Sequence, residues 1–123
     1  MLIFASSLSP RDETLAIFVT EKYDYKDKKN VLSKNVKEKI NSYLKFLKTN
    51  KSEDEINSID ISDKQKCFII KIKNKHETYF PQEIGASFFS YIKKFKNIKE
   101  IEFYADSLDF DKEKQATFFS EFI

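Results

Sequence analysis

The chain of 123 residues is short of several residue types, and each shortage removes a class of chemistry. Its single cysteine, Cys67, has no partner for an internal disulfide. Set in the run Phe68-Ile69-Ile70, it reads as a small buried hydrophobe. Its single histidine, His76, sits beside Glu77 in a polar stretch. A zinc site needs three or four converging ligands, and one His with a distant Cys does not supply them. Nor does a nucleophile elbow surround His76, which therefore reads as an exposed loop residue. The only glycine, Gly85, falls inside an expected helix. Phosphate-cradling loops use several glycines to bring backbone N–H groups onto the ligand, so P-loop, dinucleotide and ADP-ribose-type sites are disfavoured. Gly85 is instead expected to allow close packing of helix on sheet.

Arg11 is the only arginine, and lysine is poorly suited to bidentate reading of bases and phosphates. With a formal net charge of +2, neither nucleic acid nor an anionic membrane is an expected partner. No apolar run approaches the length of a transmembrane helix. Met1-Leu2-Ile3-Phe4-Ala5 is apolar but lacks a basic n-region, and Arg11 and Asp12 follow closely, so no secretory signal is expected. These features together suit a reducing cytoplasm and one domain.

What the chain does contain is organised around residues 67–105. Cys67-Phe68-Ile69-Ile70 followed by the alternation Lys71-Ile72-Lys73 predicts a strand buried over most of its length. Pro81 suits the first turn of a helix. Behind it Ile84, Phe88, Tyr91, Ile92 and Phe95 recur at helical steps. Ile101, Phe103 and Ala105 then alternate with Glu102 and Tyr104, a second strand. The three make a βαβ unit whose strands should be parallel and whose crossover should be right-handed.

Around that unit, Leu2-Ile3-Phe4-Ala5 and residues 15–19 read as strands. Residues 21–30, EKYDYKDKKN, read as a solvated loop, because Glu21, Asp24 and Asp27 cancel most of the lysine charge. Leu32, Val36, Ile40, Tyr43, Leu44 and Leu47 predict a helix of about four turns, with Ser33 as N-cap and Lys48 near its C-terminus. Ile59 and Ile61, alternating with Asp60 and Ser62, predict a short strand that turns at 63–66 to pair with the Cys67 strand. Ser107 or Asp109 can cap a last helix with Ala116, Phe119, Phe122 and Ile123 in one stripe. That helix has no polar stop signal. An apolar end of this kind suggests a longer parent chain or a contact surface.

Carboxylates cluster at Asp12/Glu13, Glu53/Asp54/Glu55 and Asp109/Asp111, all in turn-like sequence where solvated charge is the ordinary reading. Phe88, Phe118 and Phe119 could form a binding face, although core packing suits them better. The residues alone show no catalytic, cofactor-binding or metal-ligating site.

The order of these elements, and the stretches Leu15-Ala16-Ile17-Phe18-Val19, CFIIKIKN, EIGASFFSYIKKFKNIKEIEFYADS and QATFFSEFI, resemble the N-terminal domain of the leucyl aminopeptidase (cytosol aminopeptidase) family. Gly85-Ala86 fits a Gly/Ala pair in a helix of that domain. Lys99-Glu100-Ile101-Glu102-Phe103 fits the strand that follows, and the run from Phe118 to Ile123 fits the entry to its final segment. The family's Gly-Leu-Gly strand end is absent; Lys71-Ile72-Lys73-Asn74 stands there. The resemblance implies an α/β, macro-domain-like mixed sheet with helices on both faces. It also implies a non-catalytic domain of a cytoplasmic metallo-aminopeptidase, contributing to assembly and active-site access. Two divalent metals, Mn or Zn, would then lie in a catalytic C-terminal domain of the same chain, and the full-length enzyme would be a hexamer. No catalytic residue carries over to this sequence. The alternatives are an interaction module docking through the Phe-rich C-terminal helix, or a macro-like ligand-binding module.

Overall fold

The computed structural model describes residues 2–5, 14–27, 32–62, 65–72, 81–95, 101–104, 107, 117–118 and 121–122. Along the chain run β1 (Leu2–Ala5), β2 (Thr14–Val19), α1 (Lys34–Thr49), β3 (Ile56–Asp60), β4 (Lys66–Lys71), α2 (Pro81–Ile92) and β5 (Ile101–Tyr104). His76, Ala105, Asp109, Ala116, Phe119, Ile123 and the pairs Asp12/Glu13 and Asp109/Asp111 lie outside the described residues.

The helices begin where local chemistry allows. Ser33 Oγ accepts the Val36 N–H at 3.3 Å, capping an orphan donor at the start of α1. Pro81 opens α2, where its missing N–H is no loss. At the other end of α1, Lys51 adopts φ 50°, its N–H donates to Lys48 O, and the Ser52 N–H donates to Leu47 O. This is a Schellman closure with lysine where glycine is usual. It turns the chain sharply and fixes the Ser52 carbonyl, which accepts from Tyr23 and Lys71.

The strands form one mixed sheet in the order β1-β5-β2-β4-β3. β1, β5, β2 and β4 are parallel neighbours, and only β3 runs antiparallel, on the edge. The two strands of the central unit, β4 and β5, are therefore parallel as expected, but β2 lies between them. β1 and β2 are likewise separated by β5. β3 starts at Ile56, three residues before the alternation at Ile59 suggests, and Ile61 belongs to the turn instead. There its N–H donates to Gln65 O at 2.8 Å while its side chain stays buried.

Side chains alternate across this sheet and build two cores. On one face Leu15, Ile17, Val19, Cys67, Ile69 and Tyr104 meet Ile40, Leu44 and Leu47 of α1. On the other, Phe18, Phe68, Ile70 and Phe103 meet Phe88 of α2 together with Phe118 and Phe122 of the C-terminal helical turn. Helices thus cover both faces, and an interior strand has no wet side. That is why β5 is buried throughout, Glu102 and Tyr104 included, although its sequence alternates. Gly85 is a close-packing residue, but its neighbour is the terminal turn and not the sheet. A Cβ there would lie 2.9 Å from the Phe122 carbonyl carbon and closer still to its oxygen. Among the described residues no helix is long and apolar enough to cross a membrane.

Candidate functional site

In open α/β sheets ligands gather beyond the carboxyl ends of the parallel strands. Here that region is filled by residues 20–27, which follow β2, by the end of β4 and by Ser107 after β5. The 20–27 segment is a tight turn. Thr20 N–H donates to Asp24 O at 2.8 Å, and Tyr23 N–H donates to Thr20 O at 2.9 Å. Tyr23 sits at φ 61°, a left-handed conformation that costs a non-glycine residue roughly 1 kcal/mol. Its side chain compensates, because the ring is buried and the hydroxyl is bonded twice. It donates to Ser52 O at 2.9 Å and accepts from Lys71 Nζ at 3.0 Å. Lys71 also reaches Ser52 O, at 3.2 Å.

Asp27 is the second node. Its carboxylate is almost fully buried and accepts from Tyr104 Oη at 2.5 Å and Leu32 N at 3.2 Å, while Lys37 Nζ lies 3.2 Å away. These bonds tie the loop to β5 and to the start of α1. Between loop and helix lies a cleft of about 540 Å³, lined by Tyr23, Tyr25, Asn41 and Lys48 among others. Tyr25 donates to Asn41 Oδ1 at 3.0 Å, and Lys48 pairs with Asp24 at 3.1 Å. Burial, with the Asp27 charge adding to it, pushes the Tyr25 phenol up to about 12. It remains a hydrogen-bond donor at neutral pH and cannot serve as a base there.

Ser107 completes the region. The Ser107 hydroxyl ties the chain after β5 to β2, accepting from Phe18 N at 2.9 Å and donating to Tyr104 O at 2.5 Å. Its side chain is committed to the sheet, which corrects the expectation that it caps a last helix.

The arrangement is a satisfied polar clamp. Lys37 and Lys48 face carboxylates, Lys71 faces a phenol and a carbonyl, and among the described residues no nucleophile stands beside a base. Cys67 is buried on the α1 face, where desolvation raises its thiol well above the ordinary range, so it is inert packing as its sequence setting indicates. Glu53, Asp54 and Glu55 are exposed. Among the described residues no three His, Cys, Asp or Glu side chains gather as a metal site would require. Phe88 and Phe118 are core residues.

Sequence reading misjudged this clamp in two places. Residues 21–30 look like a solvated loop, yet Tyr23 and Asp27 are pulled inward by partners far along the chain. Lys71 reads as the wet position of an alternating strand, yet it is buried because β4 is covered on both faces. The signal available was that Lys71 directly continues a fully apolar run. No family model matches the chain, and neither curated proteins nor solved structures give a significant match.

Proposed function

We propose that this chain is a non-catalytic, macro-domain-like domain of a cytoplasmic leucyl-aminopeptidase-type metalloexopeptidase, serving its assembly and access to its active site. One observation carries the reading. Two of the stretches on which the resemblance rests, Gly85-Ala86 and the run containing Phe118 and Phe122, lie against each other, with Gly85 at the Phe122 carbonyl. A glycine in α2 and a phenylalanine-rich terminal helix are thus one packing unit, and that unit gives the Gly/Ala pair a physical reason. The mixed sheet with helices on both faces agrees with the architecture the resemblance implies.

Among the described residues no ligand set gathers for the two metal ions. Mn²⁺ or Zn²⁺ would be held by the catalytic C-terminal domain, and the hexamer would belong to the full-length enzyme. Docking through the C-terminal helix is less well supported, since Phe118 and Phe122 both point into the domain's own core.

The test is immunoprecipitation, from the cells that make it, with an antibody against this chain. The precipitate is expected to hydrolyse a leucyl anilide with Mn²⁺ and to lose that activity to a chelator, while the purified 123-residue chain is inert. A native band at 14.6 kDa without co-precipitating activity overturns the reading.

A further inference from the structure

β3 is an edge strand whose outer side has no partner strand among the described residues. Its ladder to β4 uses the backbone of Glu55, Asn57, Ile59 and Ile61, seen directly where Lys71 N–H donates to Glu55 O and Ile61 N–H to Gln65 O, each at 2.8 Å. By the alternation of an antiparallel ladder, the N–H and C=O groups of Ile56, Ser58 and Asp60 face outward. No strand pairs with them among the described residues. Such an edge is a template for another strand unless something blunts it.

Beside this edge, on the α1 face, runs a groove of about 660 Å³ bounded by Tyr43, Phe46, Ile59, Asp60, Glu38 and Lys39. Phe46 is 58% exposed, the one large hydrophobic so exposed among the described residues, and its ring lies 5.9 Å from that of Tyr43. An open strand edge next to an apolar wall is the arrangement that binds an added strand.

The charges indicate which strand fits. The acidic run Glu53-Asp54-Glu55 leads into β3 and is exposed, with no cation partner among the described residues. Lys39 lies at the opposite end, where its ammonium donates to Ile61 O and has no carboxylate partner among the described residues. An antiparallel copy centred on Ser58 uses all three outward residues, pairing Ile56 with Asp60 of the copy and Ser58 with its own equivalent. The same register sets Glu55 opposite Ile61 of the copy, and hence beside its Lys39. Both charges fall on the α1 face, because Glu55 shares the parity of Ile59 and Ile61. We propose that β3 pairs antiparallel with β3 of a second copy, joining two sheets into one with Phe46 and Tyr43 of both copies along the seam. This inference does not rest on the aminopeptidase reading.

Sedimentation equilibrium of the purified chain tests it, with amide hydrogen exchange followed across the same concentrations. The expected result is a reversible dimer whose Ser58 and Asp60 amides exchange more slowly as concentration rises. Glu55→Lys and Lys39→Glu should each raise the dissociation constant about tenfold, and the double charge swap should restore it. Circular dichroism melts separate loss of association from loss of fold. A monomer throughout the range overturns the proposal. So does a dimer indifferent to both charge reversals, or one in which Ser58 and Asp60 exchange alike at all concentrations.

Discussion

The two faces of the sheet hold their helices by different means. On the α2 face phenylalanines cluster among isoleucines. Phe18, Phe68, Phe88, Phe103, Phe118 and Phe122 meet mostly edge to face, as in Phe68–Phe88 at 5.5 Å and Phe103–Phe122 at 5.5 Å. On the α1 face the packing is mainly aliphatic, and its upper end is closed by hydrogen bonds that Lys71 donates to Tyr23, Tyr23 to the Ser52 carbonyl and Tyr104 to Asp27. Aromatic packing fixes ring orientation through the quadrupole but tolerates little added volume. The polar clamp fixes geometry through directed bonds, and its weakness is an orphaned buried partner. One face should therefore respond to volume and the other to pairing.

The contrast is sharpest at Phe88, which is fully buried and touches Phe68, Phe103 and Phe122. Phe88→Ala should cost about 3–5 kcal/mol, read by urea denaturation. A loss below 1 kcal/mol would mean that the aromatic core repacks freely. Gly85→Ala adds one methyl group where the Phe122 backbone already lies, and backbone cannot swing aside as a side chain does. The expected cost is about 1–3 kcal/mol, with near-ultraviolet circular dichroism reporting the disturbed phenylalanines. A neutral or stabilising Gly85→Ala would refute the close approach of α2 to the terminal turn.

On the clamp side, Asp27→Ala leaves the Tyr104 hydroxyl and the Leu32 N–H without this acceptor, for about 1–3 kcal/mol. Tyr104→Phe in that background should then cost little more, since the two share one bond. Full additivity would show that the pair is not coupled.

Tyr25 provides a pH test. Its folded pKa is raised to about 12 from 10.0, so between those values the folded state holds the proton more tightly than the unfolded state does. The stabilisation is intact below pH 10 and is lost as pH climbs toward 12. Tyr25→Phe should therefore show a shallower alkaline decline than the unaltered chain; identical slopes would place the phenol in water. The smallest effect belongs to Phe46→Ser, within about 0.5 kcal/mol for the monomer, because Phe46 is mostly exposed.

Much of this molecule was legible before its fold was known. Ser33 marks the start of α1 and Pro81 that of α2, and the Leu/Ile and Phe steps behind them identify the buried stripes. Cys67-Phe68-Ile69-Ile70 is a strand covered on both faces, as a continuous apolar run implies. The clamp was not legible, because its members are far apart in the chain and each looks like ordinary surface. Asp27 and Tyr104 are separated by 77 positions, and Tyr23 and Lys71 by 48. No window of local periodicity contains such a pair.

Local sequence sets which stretches become helix or strand and where the helices begin, since propensity, capping and periodicity act over a few neighbouring residues. Long-range packing set β2 between β4 and β5, β5 between β1 and β2, and β3 at the end of the sheet with no outer partner among the described residues. From that order follow the burial of Glu102 and Lys71, the bonds of Ser107 to Phe18 and Tyr104, and the contact that leaves no room for a side chain at Gly85. Strand order is a choice among long-range pairings made by the collapse of the whole chain, and each strand's own residues are compatible with several of them.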